Sequence, residues 1–130
     1  MQLRGQDAWG SGAFKASRGD RDHNGVDIIA QAGSPFFAMT QGVVTKLGYP
    51  YADDLSYRYV EVTDRAGGRW RYFYLEPGVE EDDVIEPYDK LGIVQDIQAR
   101  YDKRMTPHLH FEIINAHGEY VDPTGIVKGR

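Results

Sequence analysis

The chain has 130 residues, the length of one domain, enough to bury about two-thirds of its surface around a single core. A formal net charge of −5 excludes the broad basic stripe of a nucleic-acid interface. The absence of cysteine excludes disulfides and thiolate ligands, so any metal site must use histidine and carboxylate.

With 15 Gly, 9 Tyr and 6 Pro, the composition favours strands joined by tight turns, and the fold class expected is all-β with mostly antiparallel sheets. No apolar run is long enough to span a membrane, and residues 1–7 lack the apolar core of a signal peptide. One domain is expected over residues 1–130, with an N-terminal loop over 1–22 and a core from about residue 9 to residue 123. Within that loop, residues 8–22 carry three glycines and scattered charges without apolar periodicity, and Trp9 and Phe14 are candidates to pin them down.

Residues 23–30, HNGVDIIA, read as a strand because of their β-branched run, with His23, Gly25 and Asp27 on one face. Gly25 has no side chain, which suggests open space for a metal between the imidazole and the carboxylate. A turn at 32–35 leads to strands at 36–39 and 43–47, in a meander pattern. After a loop at 51–55, strands at 57–63 and 69–75 pair through a turn at 64–68. Strand alternation would put Trp70, Tyr72 and Tyr74 on one face.

The acidic run at 80–83 reads as a solvated edge, followed by a short strand at 91–94 and a polar loop at 95–105. Arg100, Lys103 and Arg104 in that loop read as solvated. Residues 106–114, TPHLHFEII, form the most informative strand. His108 and His110 share one face, with Cβ atoms roughly 7 Å apart, and Leu109 and Phe111 take the other. Glu112 falls on the histidine face, either orienting an imidazole or exposed. A closing hairpin turns at 115–118, where His117 reads as solvated, and residues 121–123 end the fold.

Catalytic zinc takes three nitrogen or oxygen ligands from the protein and keeps a position for water. His23, Asp27 and one of the two strand histidines would supply that set, leaving the other histidine as general base.

HNGVD, AGSPFFAMTQGVV, TPHLHFEI and GEYVDP resemble the M23 metallopeptidases of the lysostaphin and LytM type, over about residues 9–123. The resemblance implies a LytM-like fold with a groove over zinc, His23, Asp27 and His110 as metal ligands, and His108 as the catalytic histidine. It also implies peptide bonds of peptidoglycan stems or cross-bridges as substrate, and action outside the cytoplasm, at the cell wall, in the periplasm or on a virion.

The chain departs from the family at the Y-x-H-L motif, which reads Tyr72-Phe73-Tyr74-Leu75. Two expectations follow. In the first, Tyr74 acts in catalysis by donating a hydrogen bond to the developing oxyanion, and His108 carries the proton transfer. In the second, the domain is a zinc-binding interaction module, as in the chemotaxin-like vertebrate relatives with a similar tyrosine. The bland counterparts are a structural His108 and a Tyr74 packed with Trp70 and Tyr72.

Overall fold

Side-chain alternation sorts the strands into two antiparallel sheets with a shared core. A computed structural model describes residues 1–4 and 24–129. Its strands are β1 (Val26–Ile29), β2 (Pro35–Phe37), β3 (Gly42–Gly48), β4 (Tyr59–Thr63), β5 (Arg69–Phe73) and β6 (Leu75–Pro77). They continue with β7 (Val84–Ile85), β8 (Lys90–Val94), β9 (His108–Ile114) and β10 (Tyr120–Val121). The larger sheet runs β1-β9-β5-β4-β3-β7, with β10 also on β9, and the smaller runs β2-β8-β6. The all-β expectation holds.

One face of the larger sheet is apolar. Val26 and Ile28 from β1, Val60 and Val62 from β4, Tyr72 from β5, and Leu109 and Phe111 from β9 are buried there, packed against Phe36 and Leu91 of the smaller sheet. Burying a large apolar side chain stabilises by about 1.5–3 kcal/mol, so this inner face carries much of the folding free energy. The outer face is thereby left to polar residues, the site residues among them.

Four details differ from the sequence-based expectations. The strand expected at 69–75 is broken at Tyr74, whose φ is 67°. Its N–H donates to the Arg58 carbonyl at 2.8 Å and its carbonyl accepts from the Gln95 N–H at 2.9 Å. Those bonds hold a backbone conformation that costs a non-glycine residue free energy. Tyr74 therefore does not share the face of Trp70 and Tyr72.

The strand expected from residue 23 starts at Val26. Residues 1–4, expected as part of a loop, pair along β1: Leu3 bridges Ile28, the Arg4 N–H donates to the Asp27 carbonyl at 2.7 Å, and the Ile29 N–H donates to the Gln2 carbonyl at 2.8 Å. The remainder of that expected loop, with Trp9 and Phe14, lies outside the described residues. At the far end a short helix, α1 (Thr124–Lys128), follows Pro123 and buries Val127 in the core.

Candidate functional site

Antiparallel register assembles the site. Asp27 on β1 lies opposite His110 on β9, and Phe73 on β5 lies opposite His110 from the other side. One step along, Arg71 lies opposite both Glu112 on β9 and Glu61 on β4. Directly paired residues point to the same face with Cβ atoms about 4.5–5.5 Å apart, so two polar rows cross the outer face of the sheet. Ile29 pairs with His108, which puts the two histidines on the same face.

Asp27 is the hub. Its Oδ1 is 3.0 Å from His110 Nδ1, and its Oδ2 is 3.6 Å from His108 Nε2. Oδ2 also accepts a hydrogen bond from Arg4, and both side chains of that ion pair are buried. The N-terminal segment thus delivers a cation to a carboxylate 23 residues away in sequence.

His108 Nδ1 is 2.7 Å from the Thr106 carbonyl oxygen. A carbonyl accepts and cannot donate, so Nδ1 carries the proton in the neutral ring and Nε2 is the unprotonated nitrogen. Burial pushes the His108 pKa below its ordinary value, against the opposing pull of the Asp27 carboxylate. At neutral pH this imidazole is a base with an open nitrogen.

His110 is set differently. Its Nδ1 meets Asp27, and its Nε2 meets Glu112 Oε1 at 3.0 Å. Burial alone would depress its pKa, but the hydrogen bonds to Asp27 and Glu112 outweigh that and raise it to about 9. Glu112 is 6% exposed, so of the two sequence-based readings the orienting one describes its position. Behind it, Arg71 reaches Glu112 at 3.5 Å and Glu61 at 2.8 Å, and Glu61 accepts from Thr45 at 2.7 Å. A carboxylate on the outer nitrogen of a ligating histidine fixes the ring and raises its basicity.

Gly25 does not leave a void for a metal. A Cβ there would lie 2.2 Å from the Phe111 carbonyl oxygen, 2.9 Å from Glu112 Cβ and 3.0 Å from His110 Cε1. The glycine lets the chain entering β1 lie against β9 beside the His110 and Glu112 side chains.

Tyr74 meets the site from the break in the strand. Its ring stands edge-on to His108, with centroids 5.9 Å apart and planes at 80°, and is stacked on Tyr51 at 6.0 Å. Trp70 and Tyr72 instead pack on Phe111, at 5.9 and 5.0 Å, which corrects the expected shared face of Trp70, Tyr72 and Tyr74. Burial raises the Tyr74 pKa to about 12, so the phenol is protonated and serves as a donor at neutral pH.

Of the sequence-predicted residues, Asp27, His108, His110 and Tyr74 are brought together, and His23 lies outside the described residues. Among the described residues no three His, Asp or Glu side chains make a complete metal-ligand set. Asp27 Oδ1 and His110 Nδ1 nevertheless converge, and Glu112 occupies the other nitrogen of His110, which is the donor arrangement a zinc ligand pair needs. Sequence reasoning missed Arg4 and the tyrosines beside Tyr74, since nothing local marks a residue whose partner is remote in the chain.

Two antiparallel sheets in this arrangement have the fold of the catalytic domain of the antimicrobial peptidase lysostaphin from Staphylococcus simulans. The two match at a TM-score of 0.71 and 22% identity, over 92% of this chain and 90% of that one. The chain belongs to peptidase family M23, whose family model matches residues 21–123. It spans 44% of the longer lysostaphin chain. A zinc-containing peptidase from Vibrio cholerae is similar at a TM-score of 0.61 and 25% identity, covering 78% of this chain and 29% of that one. Leukocyte cell-derived chemotaxin-2 of Mus musculus is 28% identical over 114 residues, 85% of this chain and 72% of that protein.

Proposed function

We propose that this domain, spanning residues 1–130, is a zinc metalloendopeptidase that hydrolyses peptide bonds in peptidoglycan stems or cross-bridges, outside the cytoplasm. The observation that carries the reading is the buried Asp27 carboxylate, which faces both histidines, with Oδ1 at 3.0 Å from His110 and Oδ2 at 3.6 Å from His108. In this reading His23, Asp27 and His110 hold zinc, and Glu112 holds His110 in place. Zinc, when bound, supplies polarisation of the scissile carbonyl and acidification of a water.

The chain's own residues do the rest. His108, with Nδ1 tied to the Thr106 carbonyl, takes the proton of the attacking water at Nε2 and returns it to the leaving amine. Tyr74, protonated at neutral pH, donates a hydrogen bond to the developing oxyanion. The Tyr74 ring packs edge-on against His108 and is itself stacked on Tyr51. No helix among the described residues is long and apolar enough to cross a membrane.

A second reading has a specific observation behind it: Tyr74 replaces the histidine of the family's Y-x-H-L motif, and the chain is similar to chemotaxin-2. Under that reading the domain binds zinc and a partner without hydrolysis. Incubating the zinc-loaded protein with purified peptidoglycan and measuring new amino termini separates the two. Their release supports the peptidase; their absence, with gain of release in Tyr74→His, supports the binding module.

A further inference from the structure

Tyr74, edge-on to His108, is joined through its hydroxyl to a chain of phenols. The Tyr51 hydroxyl donates to the Tyr74 oxygen at 3.1 Å, and the Tyr51 and Tyr101 oxygens are 2.8 Å apart. Each phenol has one proton. With the Tyr51 proton given to Tyr74, the bond between Tyr51 and Tyr101 is donated by Tyr101. The Tyr74 proton is then excluded from Tyr51 and left for an acceptor elsewhere.

The cluster is braced. Tyr57 stands edge-on to Tyr51 and Tyr74, with centroids at 5.7 and 6.2 Å, and its hydroxyl donates to the Asp96 carbonyl at 2.6 Å. The Arg100 guanidinium lies 3.6 Å from the Tyr51 ring centroid and is held by Asp53 at 3.3 Å and Asp54 at 3.5 Å. Arg100 was read from sequence as solvated, but it caps the aromatic stack. The Tyr74 backbone, at φ 67°, is anchored to Arg58 and Gln95. Such a rare conformation persists where its surroundings over-determine it.

We propose that Tyr51 and Tyr101 are positioning residues: together with Tyr74 they form a one-way hydrogen-bond relay, Tyr101 to Tyr51 to Tyr74, that commits the Tyr74 hydroxyl proton to the substrate carbonyl oxygen beside His108. This deepens, and rests on, the reading of Tyr74 as oxyanion donor. Successive hydrogen bonds polarise one another, so a phenol that accepts from its neighbour is the better donor. The relay thus strengthens Tyr74, a neutral phenol, as a hydrogen-bond donor. Burial of Tyr51 with two phenol neighbours raises its pKa, which keeps it protonated and able to donate.

Tyr51→Phe keeps the ring stack and removes one hydroxyl. With soluble peptidoglycan fragments, kcat for release of amino termini is expected to fall about two- to eightfold, with KM and zinc content unchanged. Tyr101→Phe falls in the same direction by less. In a Tyr74→Phe background, Tyr51→Phe has no further effect, because the hydroxyl through which it acts is gone. A readout independent of turnover is the Cζ resonance of Tyr74 in protein labelled with [ζ-13C]tyrosine, assigned with Tyr74→Phe. At neutral pH it shifts in Tyr51→Phe and shifts less in Tyr101→Phe. An unmoved Tyr74 resonance, or the same loss of rate from Tyr51→Phe with Tyr74 present or absent, overturns the relay. A natural chain that releases no amino termini fails the peptidase reading instead, and the resonance comparison still decides the relay.

Discussion

Arg4 and Asp27 form a buried ion pair that ties the N-terminal segment to the candidate metal carboxylate. Arg4→Met leaves the protonated His110 as a cationic partner of Asp27. It is therefore expected to destabilise the metal-free protein by about 1–3 kcal/mol in urea titration, the cost of one lost charged hydrogen bond. A loss below ~1 kcal/mol would show that the pair is dispensable.

Glu112 holds the outer nitrogen of His110 at 3.0 Å. Glu112→Gln keeps the shape and loses the charge, and zinc affinity measured against a competing chelator is expected to drop about 10- to 100-fold. Asp27→Ala is expected to abolish stoichiometric zinc uptake. Full stoichiometry in Asp27→Ala would remove it from the ligand set.

The His110 pKa fixes the sign of a pH effect. Burial lowers it, the Asp27 and Glu112 hydrogen bonds outweigh burial, and the folded value is about 9 against an ordinary 6.5. The protonated ring stabilises the metal-free fold fully below about 6.5, and that contribution is lost as pH climbs through about 9. The melting temperature of chelator-treated protein is expected to fall across this window, more than in His110→Gln. A flat profile would contradict a charged His110 between the two carboxylates.

Gly25 faces β9 so closely that an added Cβ would lie 2.2 Å from the Phe111 carbonyl oxygen. Backbone cannot yield as a flexible side chain does, and Gly25→Ala is expected to cost more than about 3 kcal/mol. Circular dichroism melts check this. A neutral Gly25→Ala would mean that the entry to β1 shifts freely.

Asp64 organises the β4–β5 turn away from the site. Its carboxylate accepts from the N–H groups of Ala66 at 2.9 Å and Gly68 at 2.8 Å, and from Trp70 Nε1 at 2.8 Å. Asp64→Ala is expected to cost about 1–3 kcal/mol while leaving zinc affinity unchanged. Burial opposes ionisation of Asp64, but the hydrogen bonds from Trp70, Gly68 and Ala66 prevail and lower its pKa. Its contribution is therefore present above the ordinary carboxylate range and is lost as pH falls through the depressed folded value.

Local periodicity was enough to read the strands, the pairing of His108 with His110 on one face, and the all-β class, because side-chain direction in a strand depends on neighbouring residues alone. The H-x-x-x-D and H-x-H motifs carried the family in the same local way, and the tyrosine at position 74 marked the departure from it. Tertiary structure decided the rest. His110 meets Asp27 across 83 residues and Tyr51 meets Tyr101 across 50, contacts that no window of sequence contains. Gly25 looked like an opening for metal, and the register of β1 on β9 made it a close approach. Tyr74 looked like the third aromatic of one strand face. Backbone bonds to Arg58 and Gln95 hold it instead beside His108 and Tyr51, because partners from remote segments can hold a backbone conformation that local preference disfavours.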